Sequence, residues 1–166
     1  MYILALDPGK INFAYAVLDG ELKETGVLTP PELVADIPKF VNEQIRPLLV
    51  KGGDQKTAVV IERYMFRGQS SVHAEKVNLI IGGTQLLLHQ LGIECCLITA
   101  SQWKKTLTGH IKRIDPERKA SRICSWWWFL DPEGKPLKTE HEADAIGMAW
   151  YYAKTYDPKA TVRCVI

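Results

Sequence analysis

Ile3-Leu4-Ala5-Leu6-Asp7-Pro8-Gly9 reads as a buried strand that ends on an acid. A short apolar run closed by a Pro-Gly turn signal has the length and flanks of a strand covered on both faces. The strand is expected over Tyr2 to Asp7, and it leaves the Asp7 carboxylate at the rim of a sheet. Phe13 to Leu18 is a second apolar run beyond the turn. Asp19-Gly20, two residues that both tolerate positive φ, then predicts a two-residue hairpin into Glu21 to Leu28. Three antiparallel strands follow.

Thr29-Pro30-Pro31-Glu32 has the form of an N-cap, first-turn prolines and a glutamate at N3. Leu33, Ile37, Phe40, Val41 and Ile45 continue at helical spacing to a stop near Pro47. A Gly52-Gly53-Asp54 loop leads to the strand Thr57 to Glu62, whose apolar run again ends on an acid. A loop through Arg67-Gly68-Gln69 and a helix from about Ser71 to Leu91 follow. Gly82-Gly83 lowers the stability of that helix relative to alanine, which predicts a close approach to the sheet. Ile93 to Ile98 is a fifth strand, Ser101 caps a short helix through Leu107, and Pro116 to Phe129 forms another helix. Asp131-Pro132-Glu133-Gly134-Lys135-Pro136 is a surface loop. Thr139-Glu140-His141-Glu142 opens the last helix with a Thr-x-x-Glu capping box. The order is βββαβαβα with a helical return, and neither repeats nor low-complexity segments interrupt it.

A chain of 166 residues, 46% hydrophobic and 24% charged, is large enough to bury a core without staples, so residues 1–166 are expected to form one domain. No apolar run approaches the ~20 residues needed to span a bilayer, and Met1-Tyr2-Ile3 runs straight into a strand. A soluble intracellular protein is expected. Cys95, Cys96, Cys124 and Cys164 show no CxxC or zinc spacing, which suits reduced core thiols. The net charge of +2 is small, but between Gln102 and Arg122 seven cations face two acids. That segment is either a solvated helical face or a phosphate-binding surface.

The chemistry of the acids can be argued from their placement. Carboxylates at the ends of two neighbouring strands converge at one edge of a sheet, and the i, i+3 spacing of His141 and Asp144 puts both on one helix face. Asp7, Glu62, His141 and Asp144 then surround one pocket, the pattern of a divalent-metal phosphodiesterase. Each also has a plain structural reading. Asp7 before Pro8-Gly9 suits a turn, Glu62 could pair with Arg63, His141 could be an exposed first-turn residue, and Asp144 suits a helix N-terminus. Glu142 belongs to the capping box and Glu140 to the first-turn charges. Joint agreement of the positions favours catalysis.

That order and those acids resemble the RNase H-like fold, and specifically the RuvC family of Holliday-junction resolvases. The resemblance rests on Asp7-Pro8-Gly9, Ile61-Glu62 and His141-x-x-Asp144-Ala145 in the family's order and at similar spacing. Gln102-Trp103-Lys104-Lys105-Thr106-Leu107-Thr108-Gly109 is similar to the family's basic Val-Lys-x-x-x-x-Gly segment. Lys10-Ile11-Asn12-Phe13-Ala14-Tyr15 departs from the bacterial pattern toward the fungal mitochondrial and poxviral relatives, and His141 stands where many members have aspartate. The resemblance implies an α/β fold with a mixed five-stranded sheet, three antiparallel strands then two parallel, flanked by helices. It implies a cytoplasmic location in a bacterial or phage-infected cell, or an organellar one for a eukaryotic relative.

The expected activity is symmetric paired nicking of four-way DNA junctions, leaving 5′-phosphate and 3′-hydroxyl ends. Clustered carboxylates hold hard cations, so two Mg2+ ions, with Mn2+ as a substitute, are the expected cofactors. Asp7 is assigned as the bridging ligand, Glu62 and Asp144 as ligands of one ion each, and His141 as a ligand or a general base. The phosphate candidates are Lys10, Arg67, Lys104, Lys105, Lys112, Arg113 and Lys119, and Tyr64 or Phe66 could stack on an unpaired base. Trp126-Trp127-Trp128-Phe129 point in all directions around a helix and are not assigned to DNA. A two-fold junction calls for a two-fold dimer, for which the apolar helix Val72 to Leu88 is the candidate contact. The competing readings are a broader debranching nuclease for forks and flaps, a silent module that binds nucleic acid or a protein partner, and a plain RNase H.

Overall fold

The computed structural model describes residues 1–9, 11–64, 71–114 and 129–156, with the backbone alone at 71–73, 112 and 114. Strands β1 (Tyr2–Pro8), β2 (Phe13–Asp19) and β3 (Glu21–Leu28) form an antiparallel meander. On the other side of β1, strands β4 (Thr57–Glu62) and β5 (Glu94–Ile98) add in parallel, giving the order β3-β2-β1-β4-β5. This is the mixed five-stranded sheet expected from the sequence. β1 is central and buried along its whole length, which is why its sequence is apolar without alternation.

Helices α1 (Ile37–Phe40), α2 (Arg46–Val50) and α3 (Ser71–Gln90) cover one face of the sheet, and α4 (Ala100–Ile114) and α5 (Glu140–Tyr156) cover the other. Alternation along β1 feeds both cores. Ile3 and Ala5 join Ala14, Ala16, Ala58 and Val60 beneath α4 and α5, whereas Tyr2, Leu4 and Leu6 join Phe13, Val59 and Ile61 beneath α1 to α3.

Several local expectations are corrected. The hairpin is tighter than a two-residue loop: Gly20 alone separates β2 from β3, at φ +71°, and Asp19 pairs with Glu21. Thr29 does not cap a helix. Leu33 is still extended, and a 3₁₀ turn at Val34–Asp36 leads into α1, because Pro30-Pro31 holds the preceding backbone out of the helical region. Nor does the helix stop at Pro47. The chain widens into a π-helical turn at Val41–Ile45, after which Pro47 falls in the first turn of α2, where its missing N–H costs no hydrogen bond.

The Gly82-Gly83 pair does not approach the sheet. Gly82 faces open space, and a Cβ on Gly83 would meet Val41 and Ile37 at 3.6 and 3.7 Å, across a helix contact. The cap of α4 is Thr99 rather than Ser101. Thr99 N–H donates to Gln102 Oε1 (2.8 Å) and Gln102 N–H to Thr99 Oγ1 (3.4 Å), a reciprocal box. The helix runs past Leu107 to Ile114, since Trp103, Leu107 and Ile111 make one buried stripe. Cys95 and Cys96 are half-buried free thiols of the edge strand rather than core residues. Cys124, Cys164, Trp126-Trp127-Trp128 and nearly all of the helix expected over Pro116 to Phe129 lie outside the described residues; Phe129 itself is buried. Among the described residues no helix is long and apolar enough to cross a membrane.

Candidate active site

The register of the sheet places the first two acids. Ala5 pairs with Val60 and Leu6 with Ile61 in the parallel β1/β4 ladder, so Asp7 and Glu62 finish adjacent strands at the same edge. Period-two alternation puts both on the face of Ala5 and Val60, toward α4 and α5. The turn behind Asp7 depends on Gly9, where a Cβ would lie 2.1 Å from the carbonyl oxygen of Asn12.

The N-terminus of α5 is held over this edge by the predicted capping box. Thr139 N–H and Oγ1–H donate to Glu142 Oε2 (3.0 and 3.2 Å), and Glu142 N–H donates back to Thr139 Oγ1 (3.2 Å). Glu142 is buried and structural. One turn of this helix brings His141 and Asp144 to the strand ends. His141 Nδ1 lies 2.9 Å from Asp7 Oδ2, a hydrogen bond that the ring donates when Asp7 is ionised.

The other two acids find partners on α4. Lys104 Nζ is 2.7 Å from Asp144 Oδ2, and the indole Nε1–H of Trp103 donates to Glu62 Oε2 at 3.1 Å. Arg63 is not the partner of Glu62: its backbone N–H donates to the carbonyl of Ile98.

Burial and crowding of like charge set the electrostatics. Burial raises Asp7 above the usual carboxylate range; the hydrogen bond from His141 opposes the rise and nearby Asp144 adds to it. Glu62 is pushed up to about 7, by burial first and by the charge of Asp7 second, with the Trp103 hydrogen bond pulling the other way. The hydrogen bond to Asp7 raises His141. Burial works against the Lys104 ammonium, but Asp144, Glu62 and Asp7 outweigh it and hold its pKa above the ordinary lysine value. The charges of Asp7 and Asp144 both act on Glu62, and that of Asp144 also acts on Asp7.

Among the described residues no three His, Cys, Asp or Glu side chains are gathered closely enough to hold a metal ion as they stand. The negative charges are instead matched one by one, Asp7 with His141 and Asp144 with Lys104. The donor set fits a hard divalent cation in its chemistry: three carboxylates and an imidazole, two of the carboxylates raised in pKa chiefly by burial.

The proposed DNA contacts separate into groups. Lys105 and Arg113 are exposed on the outer face of α4, and Tyr64 is exposed two residues beyond Glu62. Lys104 turns toward Asp144 instead of outward with Lys105. Lys112 lies on α4 with only its backbone described, and Lys10, Phe66, Arg67 and Lys119 lie outside the described residues. Sequence reasoning missed Trp103. Its one signal was a tryptophan directly before the lysine pair, and nothing in the helical period shows that its N–H reaches Glu62.

No family model matches the sequence, and no curated protein matches it. Solved structures do. Thermus thermophilus RuvC in complex with Holliday junction substrate aligns over 94% of this chain and 96% of its own, with a TM-score of 0.59 and 19% identity. The yeast mitochondrial Holliday junction resolvase Ydc2 aligns over 90% and 78%, with a TM-score of 0.55 and 14% identity. The fowlpox virus Holliday junction resolvase aligns over 93% and 99%, with a TM-score of 0.51 and 12% identity. The chain therefore has the RNase H-like fold in the form shared by RuvC and these two resolvases.

Proposed function

We propose that this protein is a magnesium-dependent, structure-selective DNA endonuclease that resolves Holliday junctions by paired symmetric nicks, leaving 5′-phosphate and 3′-hydroxyl ends. The observation that carries the reading is the convergence of Asp7 and Glu62, from adjacent strand ends, with His141 and Asp144 from one turn of α5. Asp7, Glu62 and Asp144 would hold two Mg2+ or Mn2+ ions. When bound, these ions supply charge neutralisation at the phosphoryl group and at the leaving 3′ oxygen and lower the pKa of water.

The chain's own groups do the rest. With Nδ1–H given to Asp7, the His141 ring keeps Nε2 as its lone-pair nitrogen, the arrangement of a general base that orients a water and takes its proton. Lys104 offsets the negative rim, so that a phosphate can approach a site otherwise lined with carboxylates. The exposed cations Lys105 and Arg113 extend that positive surface along α4 for backbone contacts, and Tyr64 offers a ring for an unpaired base. The outer stripe of α3, with Leu79 and Leu86 exposed, is the surface through which two copies would present two sites to a two-fold junction.

The test is cleavage of a synthetic mobile four-way junction beside fork, flap, linear duplex and RNA–DNA hybrid, in Mg2+ or Mn2+, with Asp7→Asn as the blank. Paired symmetric nicks confined to the junction and absent from Asp7→Asn are expected. Nicks spread over every branched substrate would assign a debranching nuclease instead. Tight junction binding without cleavage in either metal would overturn the catalytic reading.

A further inference from the structure

Trp103 is completely buried, and a buried indole N–H must find an acceptor. Trp103 shares its buried stripe on α4 with Leu107 and Ile111, aliphatic side chains with no polar group to place. The indole instead spends its one donor on Glu62 Oε2, across 41 residues of sequence. A second feature is built around the same ring. Gly147 lies in the middle of α5, where glycine weakens a helix. A Cβ there would stand 2.5 Å from Trp103 Cζ3 and 3.0 Å from Cε3, so the glycine is the space the ring occupies. The face of the ring also lies 4.8 Å from the Lys104 ammonium, which reaches on to Asp144.

We propose that Trp103 is a positioning residue for Glu62: its indole N–H fixes the orientation in which the carboxylate meets a divalent cation, with Gly147 holding the ring in place. Glutamate has three rotatable bonds, and a rigid donor on one oxygen selects one direction for the other. The proposal rests on the reading that Glu62 is a cation ligand.

The test needs no DNA. Wild type, Trp103→Phe and Glu62→Gln are labelled with 15N and titrated with MgCl2. The indole resonance of Trp103 is assigned by its loss in Trp103→Phe, and Mg2+ uptake is read independently from thermal stabilisation. The Trp103 resonance is expected to move in Glu62→Gln and to move with Mg2+ in the wild type at the midpoint of the thermal titration. Trp103→Phe is expected to unfold cooperatively with its Mg2+ midpoint raised about tenfold to a hundredfold. Should Trp103→Phe not fold, Gly147→Ala, which displaces the ring without removing it, is expected to raise the midpoint in the same direction. A resonance indifferent to Glu62→Gln, or a folded Trp103→Phe with the wild-type midpoint, overturns this proposal alone. A wild type that takes up no Mg2+ while its indole still follows Glu62→Gln overturns the metal reading of the site, and this proposal with it.

Discussion

The two faces of the sheet use the same strands for different ends. Toward α1 to α3, β1 and β4 present Leu4, Leu6, Val59 and Ile61 beside Phe13 of β2, closed over by Ile45 and Leu88. Toward α5 they present Ala5 and Ala58, with Ile3 and Val60, beside Ala14 and Ala16, and these alanines are met by Ala143, Ala145 and Ala149. Large side chains fill the first face. On the second, small ones let the α5 backbone come close to the strands, which is how a residue in its first turn touches Asp7. The difference shows that the site is placed by what is missing from the packing side chains as much as by its acids.

Leu6 and Asp7, neighbours that point to opposite faces, give the sharpest way to break this contrast. Asp7→Asn is expected to slow nicking at least about a hundredfold without loss of folding stability, because it removes an acid whose ionisation the fold opposes. Leu6→Ala is expected to lose about 2–5 kcal/mol of unfolding free energy and to nick in proportion to the folded fraction. Urea unfolding beside nicking rates checks both, and the contrast fails if either variant does the other's work.

A pH series on the acid face comes next. Without metal, Glu62 has a folded pKa of about 7 against an ordinary 4.5, so the folded state keeps its proton through that window. Protons are then bound more by the folded than by the unfolded chain, and stability falls as pH rises from about 4.5 to about 7. Glu62→Gln removes that slope while keeping an acceptor for Trp103. In EDTA it is expected to match the wild type near pH 4 and to exceed it at pH 8 by on the order of 2–3 kcal/mol. Parallel stability curves at all pH values would show that burial does not hold the proton on Glu62.

Smaller effects separate the glycines. Gly147→Ala, on the close-packed face, is expected to destabilise by about 1–3 kcal/mol because the new methyl overlaps Trp103. Gly82→Ala, on the outer surface of α3 with nothing nearby, is expected to stabilise by about 0.5–1 kcal/mol. Thermal unfolding of the pair, compared as a difference, tests whether close approach to α5 is what reserves position 147 for glycine.

Much of this architecture was legible residue by residue. The strands were readable because an apolar run bounded by Pro-Gly or Asp-Gly has few other solutions, and Asp7 and Glu62 were readable because each ends such a run. The Thr139 capping box announced both the start of α5 and the side of it that carries His141 and Asp144. Local signals failed where two chemistries compete within a few residues. Thr99 and Ser101 are both competent caps, and only the Gln102 side chain, folded back on Thr99, chooses between them. Pro30-Pro31 suits a first turn or an extended lead-in equally, and Pro47 ends a regular helix but not one that has just widened by a π turn.

Periodicity and turn chemistry settle which carboxylates arrive at the rim of the sheet, because those rules act over a few neighbouring residues. The partners waiting there were beyond such rules: Trp103 meets Glu62 across 41 residues and Lys104 meets Asp144 across 40. Those pairings depend on how near α4 and α5 come to the strands, and that distance is set by the alanines and by Gly147 packed between them.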